Sequence, residues 1–169
     1  LSSEADENIW LLKDPCHIAH IEEILNTYPK ARFIFLHRNP RFSMPSISNL
    51  AFNLRLGYSN HVDPILVGNQ MLLYWKDATE KLLNGRELIP KDQMIDLKFN
   101  HLIDDPIKIT NQIFEKFSIE HDEAFERKLT TRIDTKKIKS KHSYSYEKFF
   151  RSSGEVENKF VNYISYFDL

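Results

Sequence analysis

An arginine, a proline and a serine stand close together in the first third of the chain, at a spacing that suits the binding of an anion. Arg38 and Pro40 follow an apolar run, and Ser46 comes eight residues after the arginine. A guanidinium group can hold an oxyanion with two parallel hydrogen bonds, and a helix start adds N–H groups and a favourable dipole. The pattern therefore predicts an anion site. A surface arginine beside a solvated serine is the alternative, and it stays open at this point.

The residues before Arg38 indicate a strand that ends in a turn. Residues 32–37 are almost continuously apolar, which is typical of a parallel strand covered on both faces. Residues 9–12 form a shorter apolar run, and apolar residues at three- and four-residue spacing over 18–28 indicate a helix between the two. We therefore expect a unit of strand, helix and strand. Arg38 would lie at the carboxyl end of its second strand, where ligands of open α/β sheets bind.

The rest of the chain continues the alternation of helices and strands. We predict a helix over residues 42–55 with Pro45 in its first turn, and a long helix that ends at Gly85. Residues 94–99 alternate as a strand, and residues 105–106 begin another helix with an acidic cap and a proline. The remaining predictions are a charged helix over 121–132, a lysine-rich loop over 134–141 and a final helix that starts with a capping box at 152–155.

Four stretches in this order resemble the sulfotransferases that use 3′-phosphoadenosine 5′-phosphosulfate (PAPS). They are residues 10–17, residues 28–46, residues 97–106 and residues 141–145. The second is similar to the family's Tyr-Pro-x-Ala-Arg-Phe-Ile-x-x-x-Arg-x-Pro strand, with a serine eight residues after the second arginine. The third resembles its strand-to-helix junction, and the fourth resembles its C-terminal His-x-Tyr-Ser segment. The resemblance covers most of the chain.

This resemblance implies a fold and a function. The fold is α/β, a P-loop NTPase-like parallel sheet flanked by helices, here as a single and partial domain over residues 1–169 that is truncated at its N-terminus. The function is transfer of a sulfuryl group from the co-substrate PAPS to a hydroxyl or amine of a small-molecule, carbohydrate or peptide acceptor. Arg38 and Ser46 match the residues with which the family binds the 3′-phosphate of the nucleotide.

Four further residues are candidates for the site. Lys13 stands where the family's lysine stabilises charge on the moving sulfuryl group, although a solvent-facing lysine is the alternative. His17 is a candidate general base. The family's histidine follows its lysine by two positions, where this chain has Pro15, and capping a helix or facing solvent is an equal alternative for His17. Lys141 and His142 are candidates, by local charge, for replacing an Arg-Lys-Gly segment that the family uses on the 3′-phosphate.

The chain departs from the family near its N-terminus. It contains four glycines, and none begins a phosphate-cradling loop. It also begins at Leu1 rather than at a methionine, so we expect a fragment of a longer protein that is weakly active or inactive alone. We leave the compartment open between the cytoplasm and the Golgi lumen, and the oligomeric state open as well.

Composition limits the other classes of function. The 23 basic and 24 acidic residues give a formal charge of −1, which disfavours general nucleic-acid binding. The single cysteine excludes an internal disulfide framework, and no apolar run approaches the length of a membrane span. Cys16, His17, His20 and His37 lack a known zinc-binding spacing, so we expect no metal. Two alternative functions remain: a nucleotide or small-molecule kinase on the same superfold, and a non-catalytic binding protein that has lost the phosphate loop.

Overall fold

A pair of parallel strands forms the centre of the fold. The computed structural model describes residues 9–135 and 146–169. Within these residues the sheet contains β1 (Phe33–His37) and β2 (Met94–Lys98), which confirms both predicted strands. The two strands pair in register from end to end. The residues that follow them, Arg38 and Phe99, therefore leave the sheet side by side at its carboxyl edge.

The helix that follows β1 begins earlier than the sequence predicted. This helix, α2 (Pro40–Leu56), is capped by Asn39, whose side-chain oxygen accepts a hydrogen bond from the backbone N–H of Arg41 at 2.9 Å. The predicted start at residue 42, with Pro45 in the first turn, is wrong, because Pro45 lies inside the helix. The Asn39 cap and the helix-compatible φ of Pro40 set the start at the turn itself.

A second long helix completes the connection from β1 to β2. This helix, α3 (Pro64–Gly85), ends at the predicted glycine. The carboxylate of Asp63 caps its start by accepting a hydrogen bond from the N–H of Ile65 at 2.8 Å. Two short 3₁₀ turns, Arg86–Leu88 and Lys91–Gln93, then lead into β2. The path through α2 and α3 is thus the long crossover that two parallel strands require.

The other helices surround this crossover. They are a 3₁₀ turn (Pro15–Ala19), α1 (Ile21–Thr27), α4 (Phe99–Asp104), α5 (Pro106–Phe117), α6 (Glu123–Thr135), α7 (Ser153–Lys159) and α8 (Val161–Phe167). The predicted helix start at Pro106 is confirmed, with Asp105 as its cap. The prediction of one final helix is wrong, because the helix is interrupted at Phe160, between α7 and α8. No helix among those described is long and apolar enough to cross a membrane.

Two groups of buried side chains hold the helices to the sheet and to one another. The first lies between α2, α3 and the C-terminal segment and comprises Met44, Leu72, Phe149, Phe150, Val156 and Phe160. The second lies against one face of β1 and comprises Ile21, Phe35, Leu82, Ile89 and Tyr163. The last two dozen residues contribute to both groups, so the C-terminal helices help to fix the sheet.

The predicted strand over residues 9–12 is wrong. These residues form no strand, and Leu11 is 81% exposed. The prediction that β1 is covered on both faces is also wrong, because Ile34 and Leu36 are 40% and 44% exposed. An apolar run does not specify its hydrogen-bonded neighbour, and among the described residues β1 pairs with β2 alone. The unit of strand, helix and strand expected around α1 is therefore replaced by the crossover from β1 to β2.

Gly68 lies where α3 passes closest to the backbone of Phe149. A β-carbon at this position would lie 2.3 Å from the carbonyl oxygen of Phe149, so Gly68→Ala would force the two segments apart. We expect the free energy of unfolding to fall by about 1–3 kcal/mol in urea denaturation. Gly154→Ala is the matched control, because its β-carbon would meet nothing closer than the Ser152 hydroxyl oxygen at 3.9 Å. Equal stabilities of the two variants would contradict the close approach.

Candidate anion-binding site

Arg38 presents an exposed cation at the carboxyl edge of the sheet. Its guanidinium carbon lies 4.5 Å from the centre of the Phe99 ring. No carboxylate of residues 9–135 or 146–169 lies within ion-pair distance of it, whereas Arg86 and Arg41 both have acidic partners. A guanidinium group that lies over a ring keeps its N–H edge available. Arg38 is therefore held in place by an aromatic face and retains its hydrogen-bond donors for an anion.

The first turn of α2 offers fewer donors than the sequence suggested. Pro40 has no N–H, and the N–H of Arg41 is bonded to the Asn39 side chain. The N–H of Phe42 donates to the Asn39 carbonyl oxygen at 3.0 Å. The helix dipole still favours an anion near this end. The hydrogen bonds to such an anion must come mainly from side chains.

Ser46 lies further along α2 than a residue of the first turn. It is the seventh residue of the helix and is partly buried. At a rise of 1.5 Å per residue, its α-carbon is about 9 Å along the helix axis from that of Pro40. Its hydroxyl could meet a phosphate beside the helix, rather than one capping the end. Arg38 and Ser46 thus belong to one strand–turn–helix segment, which is the relation that the sequence predicted.

A chain of four polar side chains, three of them buried, includes the residue immediately before Arg38. His37, which is 3% exposed, is within hydrogen-bond distance of Tyr163 Oη through Nδ1 (2.9 Å) and of Asp96 Oδ1 through Nε2 (2.8 Å). Arg86 donates to both oxygens of Asp96, at 2.6 and 3.2 Å. This chain joins α8, β1, β2 and the 3₁₀ turn after α3. We call these four residues the Arg86–Tyr163 chain.

An aromatic ring of α8 covers this chain. The Phe167 ring is stacked on the imidazole of His37, with 3.6 Å between the ring centres. The guanidinium carbon of Arg86 lies 4.9 Å from the centre of the same ring. Arg86 is only 5% exposed, and the Asp96 carboxylate and this aromatic face together offset the cost of burying its charge.

The ionisation of the chain follows from its surroundings. Burial would raise the pKa of the Asp96 carboxyl, but hydrogen bonds from His37 and Arg86 outweigh burial and hold this pKa below its usual value. Burial raises the pKa of the Tyr163 hydroxyl, and the backbone N–H of Arg38 opposes this rise. At neutral pH, Asp96 is therefore a carboxylate that only accepts hydrogen bonds, and Tyr163 is a neutral phenol.

Lys13 and His17 belong to the segment that precedes α1. Lys13 is exposed just before the 3₁₀ turn Pro15–Ala19, and His17 is exposed within that turn. The turn is capped by the Asp14 carboxylate and packs on α3. Among the described contacts, none joins either residue to Arg38 or Ser46. The other two candidates, Lys141 and His142, lie outside the described residues.

Sequence reasoning did not find the Arg86–Tyr163 chain. The sequence suggested only a metal-ligand role for His37, and both of its ring nitrogens are engaged by protein side chains. One signal was available: Asp96 is an acidic residue between the apolar Ile95 and Leu97 and shares a face with His37 through the register of the two strands. A carboxylate on a face that carries an imidazole is a natural hydrogen-bond acceptor for it.

Comparison with known proteins defines the class of this chain. A model of the sulfotransferase family matches residues 2–123, so the chain belongs to the sulfotransferase family. Two curated proteins are 32% identical to it over 100 residues. They are the omega-hydroxy-beta-dihydromenaquinone-9 sulfotransferases Stf3 of Mycobacterium bovis and Mycobacterium tuberculosis. The match covers 57% of this chain and 25% of each of those proteins.

Two solved structures share the fold. Sulfotransferase STF9 from Mycobacterium avium superposes with a TM-score of 0.81 at 22% identity, over 95% of this chain and 42% of that one. Sulfotransferase STF1 from Mycobacterium tuberculosis gives a TM-score of 0.79 at 24% identity, over 92% and 40% of the two chains. The α/β fold, a small parallel sheet flanked by helices, is therefore that of sulfotransferases. The chain spans about two fifths of the length of these structures.

The lowered pKa of Asp96 predicts how stability depends on pH. A carboxyl group whose pKa is lower in the folded state stabilises the fold above its unfolded pKa of about 4, and this contribution is lost as the pH falls through the folded pKa. We expect Asp96→Asn to lower the free energy of unfolding at pH 7 by about 1–3 kcal/mol. Wild type and variant should converge as the pH is lowered below about 4.

Urea denaturation at several pH values measures this difference. The control is Asp77→Asn, which removes an exposed pair with Lys81 at 2.9 Å and should change stability by less than about 1 kcal/mol. A difference between wild type and Asp96→Asn that stays constant from pH 7 to pH 3 would show that the carboxylate charge of Asp96 is not what stabilises the chain.

Proposed function

We propose that this chain supplies the 3′-phosphate half of the nucleotide site of an enzyme that transfers a sulfuryl group from PAPS. The observation that carries the proposal is the state of Arg38. Its guanidinium group is exposed, lies over the Phe99 ring and has no acidic partner among the described residues. A phosphate dianion would accept two hydrogen bonds from such a group. The matched region of the sulfotransferase family includes this residue and Ser46.

The reaction proposed for the whole enzyme is an in-line displacement at sulfur. The acceptor oxygen forms a bond to sulfur while the bond from sulfur to the 5′-phosphate oxygen breaks, and adenosine 3′,5′-bisphosphate leaves. The proton of the acceptor passes to a general base, for which His17 is the candidate in this chain. Lys13 would stabilise the charge that develops on the sulfuryl and bridging oxygens. Family membership favours this reaction over the phosphoryl transfer of a kinase.

A hydroxyl group is the acceptor that the comparisons favour. The curated relatives are named for an omega-hydroxy compound. The chain also contains a surface cavity of about 480 Å³ between the end of α2, the following loop and the start of α3. Leu54, Val62 and Leu66 contribute apolar surface to it, and His61 and Asp63 contribute polar groups. We propose that this loop and the start of α3 border the acceptor cleft.

Replacement of Arg38 tests the proposed phosphate site. We expect Arg38→Ala to weaken the binding of adenosine 3′,5′-bisphosphate about 10-fold or more in calorimetric titration, since a hydrogen bond to a charged group contributes about 1.5–3 kcal/mol. Arg38→Lys should retain part of the affinity, because it keeps the charge and loses the two-pronged geometry. Ser46→Ala should lose less than Arg38→Ala.

Arg41→Ala is the matched control. Arg41 lies three residues further along the chain, is exposed, and pairs loosely with Glu157 at 3.7 Å. Its removal should leave the affinity unchanged. No binding by the wild-type chain would refute the nucleotide site for this chain. Equal binding by wild type and Arg38→Ala would refute the role of Arg38.

A further inference from the structure

The Arg38 guanidinium group lies over the Phe99 ring, and each of the two residues comes immediately after a strand end that α8 or its C-cap residue contacts. On the side of β1, His37 precedes Arg38 and its Nδ1 lies 2.9 Å from the hydroxyl oxygen of Tyr163. On the side of β2, Lys98 precedes Phe99, and its ammonium group bonds to the carboxylate of Asp168 at 3.0 Å and to the carbonyl oxygen of the same residue at 2.6 Å. Tyr163 of α8 and its C-cap residue Asp168 thus bond to the ends of the two strands that precede Arg38 and Phe99.

The direction of the hydrogen bonds in the Arg86–Tyr163 chain is fixed at one end. A guanidinium group can only donate and a carboxylate can only accept, so Asp96 requires a proton on Nε2 of His37. In the neutral imidazole, Nδ1 then accepts the proton of the Tyr163 hydroxyl. Each polar group thereby determines the orientation of the next, from Arg86 through Asp96 and His37 to Tyr163. His37 is the residue immediately before Arg38, so this order fixes the strand end from which Arg38 leaves.

We propose that Tyr163 and His37 are positioning residues for Arg38. The hydrogen-bonded chain that starts at Arg86 fixes the last residue of β1, and so fixes the direction in which Arg38 leaves the sheet toward the 3′-phosphate. This inference rests on the proposed phosphate-binding role of Arg38. Neither Tyr163 nor His37 touches the phosphate in this arrangement. Their effect on nucleotide binding is exerted through the backbone of Arg38, which lies between β1 and the Asn39 cap.

The polar character of the Arg86–Tyr163 chain speaks against a purely structural role. The rings of Tyr163 and Phe167 pack α8 against β1 through aromatic and apolar contacts that do not themselves require hydrogen bonds. An apolar pair in place of His37 and Tyr163 would pack equally well and avoid the cost of burying polar groups. What the polar chain adds is a directional constraint at the point where the strand ends. That constraint matters if the Arg38 side chain, just beyond the strand, must have a fixed orientation.

Tyr163→Phe tests the positioning role with minimal change of packing, because only the hydroxyl is lost. The first measurement is amide hydrogen exchange by NMR without nucleotide. We expect the amide of Arg38 to exchange about 3- to 10-fold faster than in wild type, after correction for the change in global stability. The amide of Phe35, in the middle of β1, should change only as much as global stability does.

The second measurement is calorimetric titration with two nucleotides. We expect Tyr163→Phe to weaken the binding of adenosine 3′,5′-bisphosphate about 3- to 10-fold and to leave the binding of adenosine 5′-monophosphate unchanged, because only the former carries the phosphate that Arg38 would hold. His37→Gln should have the same effect, since the amide keeps a donor for Asp96 and offers no acceptor at the position of Nδ1. The double variant should lose little more than either single one.

Tyr146→Phe is the matched control. The hydroxyl of Tyr146 is buried in the other core group and has no hydrogen-bond partner among the described residues. Its removal should leave both the Arg38 amide and the nucleotide affinities as in wild type. His37→Gln provides an independent variant if Tyr163→Phe does not fold.

The outcomes separate this inference from the proposed function. If the wild-type chain binds no bisphosphate, the nucleotide site is refuted, and amide exchange alone decides whether Tyr163 positions Arg38. Unchanged exchange of the Arg38 amide in both variants would overturn the inference even if Arg38→Ala abolished nucleotide binding. An equal loss of affinity for the two nucleotides, with no specific change in the exchange of the Arg38 amide, would show that the Arg86–Tyr163 chain contributes only to global stability. This result would also overturn the inference.

Discussion

The ion pair between Arg86 and Asp96 is the interaction on which the carboxyl edge of the sheet depends. A guanidinium group that is only 5% exposed would be unfavourable alone, and the partly exposed carboxylate of Asp96 compensates its charge. Paired at 2.6 Å, they form a fixed polar end to which His37 and then Tyr163 are hydrogen-bonded. The pair therefore orients side chains that come from both strands and from the C-terminal helix.

In the candidate site, the residues that fix the strand ends differ from the residue that would bind the anion. The four residues of the Arg86–Tyr163 chain are hydrogen-bonded to one another, whereas Arg38 is exposed and has no acidic partner among residues 9–135 and 146–169. Phe99 restricts the guanidinium group without using its hydrogen-bond donors. A cation that is oriented in advance and not neutralised by its own protein is suited to an incoming phosphate, because little ordering remains to be done on binding.

Membership of the sulfotransferase family gives this geometry its chemical context. The chain spans only part of the length of its relatives, and the site proposed here is the 3′-phosphate half of a nucleotide site. Lys13 lies just before the 3₁₀ turn that packs against α3, and His17 lies within this turn. Their proposed roles concern the sulfuryl group, whereas Arg38 and Ser46 concern the 3′-phosphate, and these two groups lie at different ends of PAPS.

The sequence by itself determined the features that depend on near neighbours. The two strands, the end of α3 at Gly85 and the start of α5 at Pro106 are predicted from the sequence and confirmed by the structure. Alternating polarity, capping and turn chemistry act over a few residues and can therefore be read locally. The strand predicted over residues 9–12 is wrong, because a strand needs a hydrogen-bonded neighbour and an apolar run does not specify one.

Only the tertiary structure decided what surrounds Arg38. Its aromatic support comes from Phe99, beyond the other strand, and the hydroxyl bonded to His37 comes from a residue 126 positions away. Contacts of this kind depend on the register of β1 with β2 and on how α8 packs across them. Neither is encoded in a short window of residues, since many registers and packings share one hydrophobic pattern. The arginine could thus be named from the sequence, but the chain of side chains behind it could not.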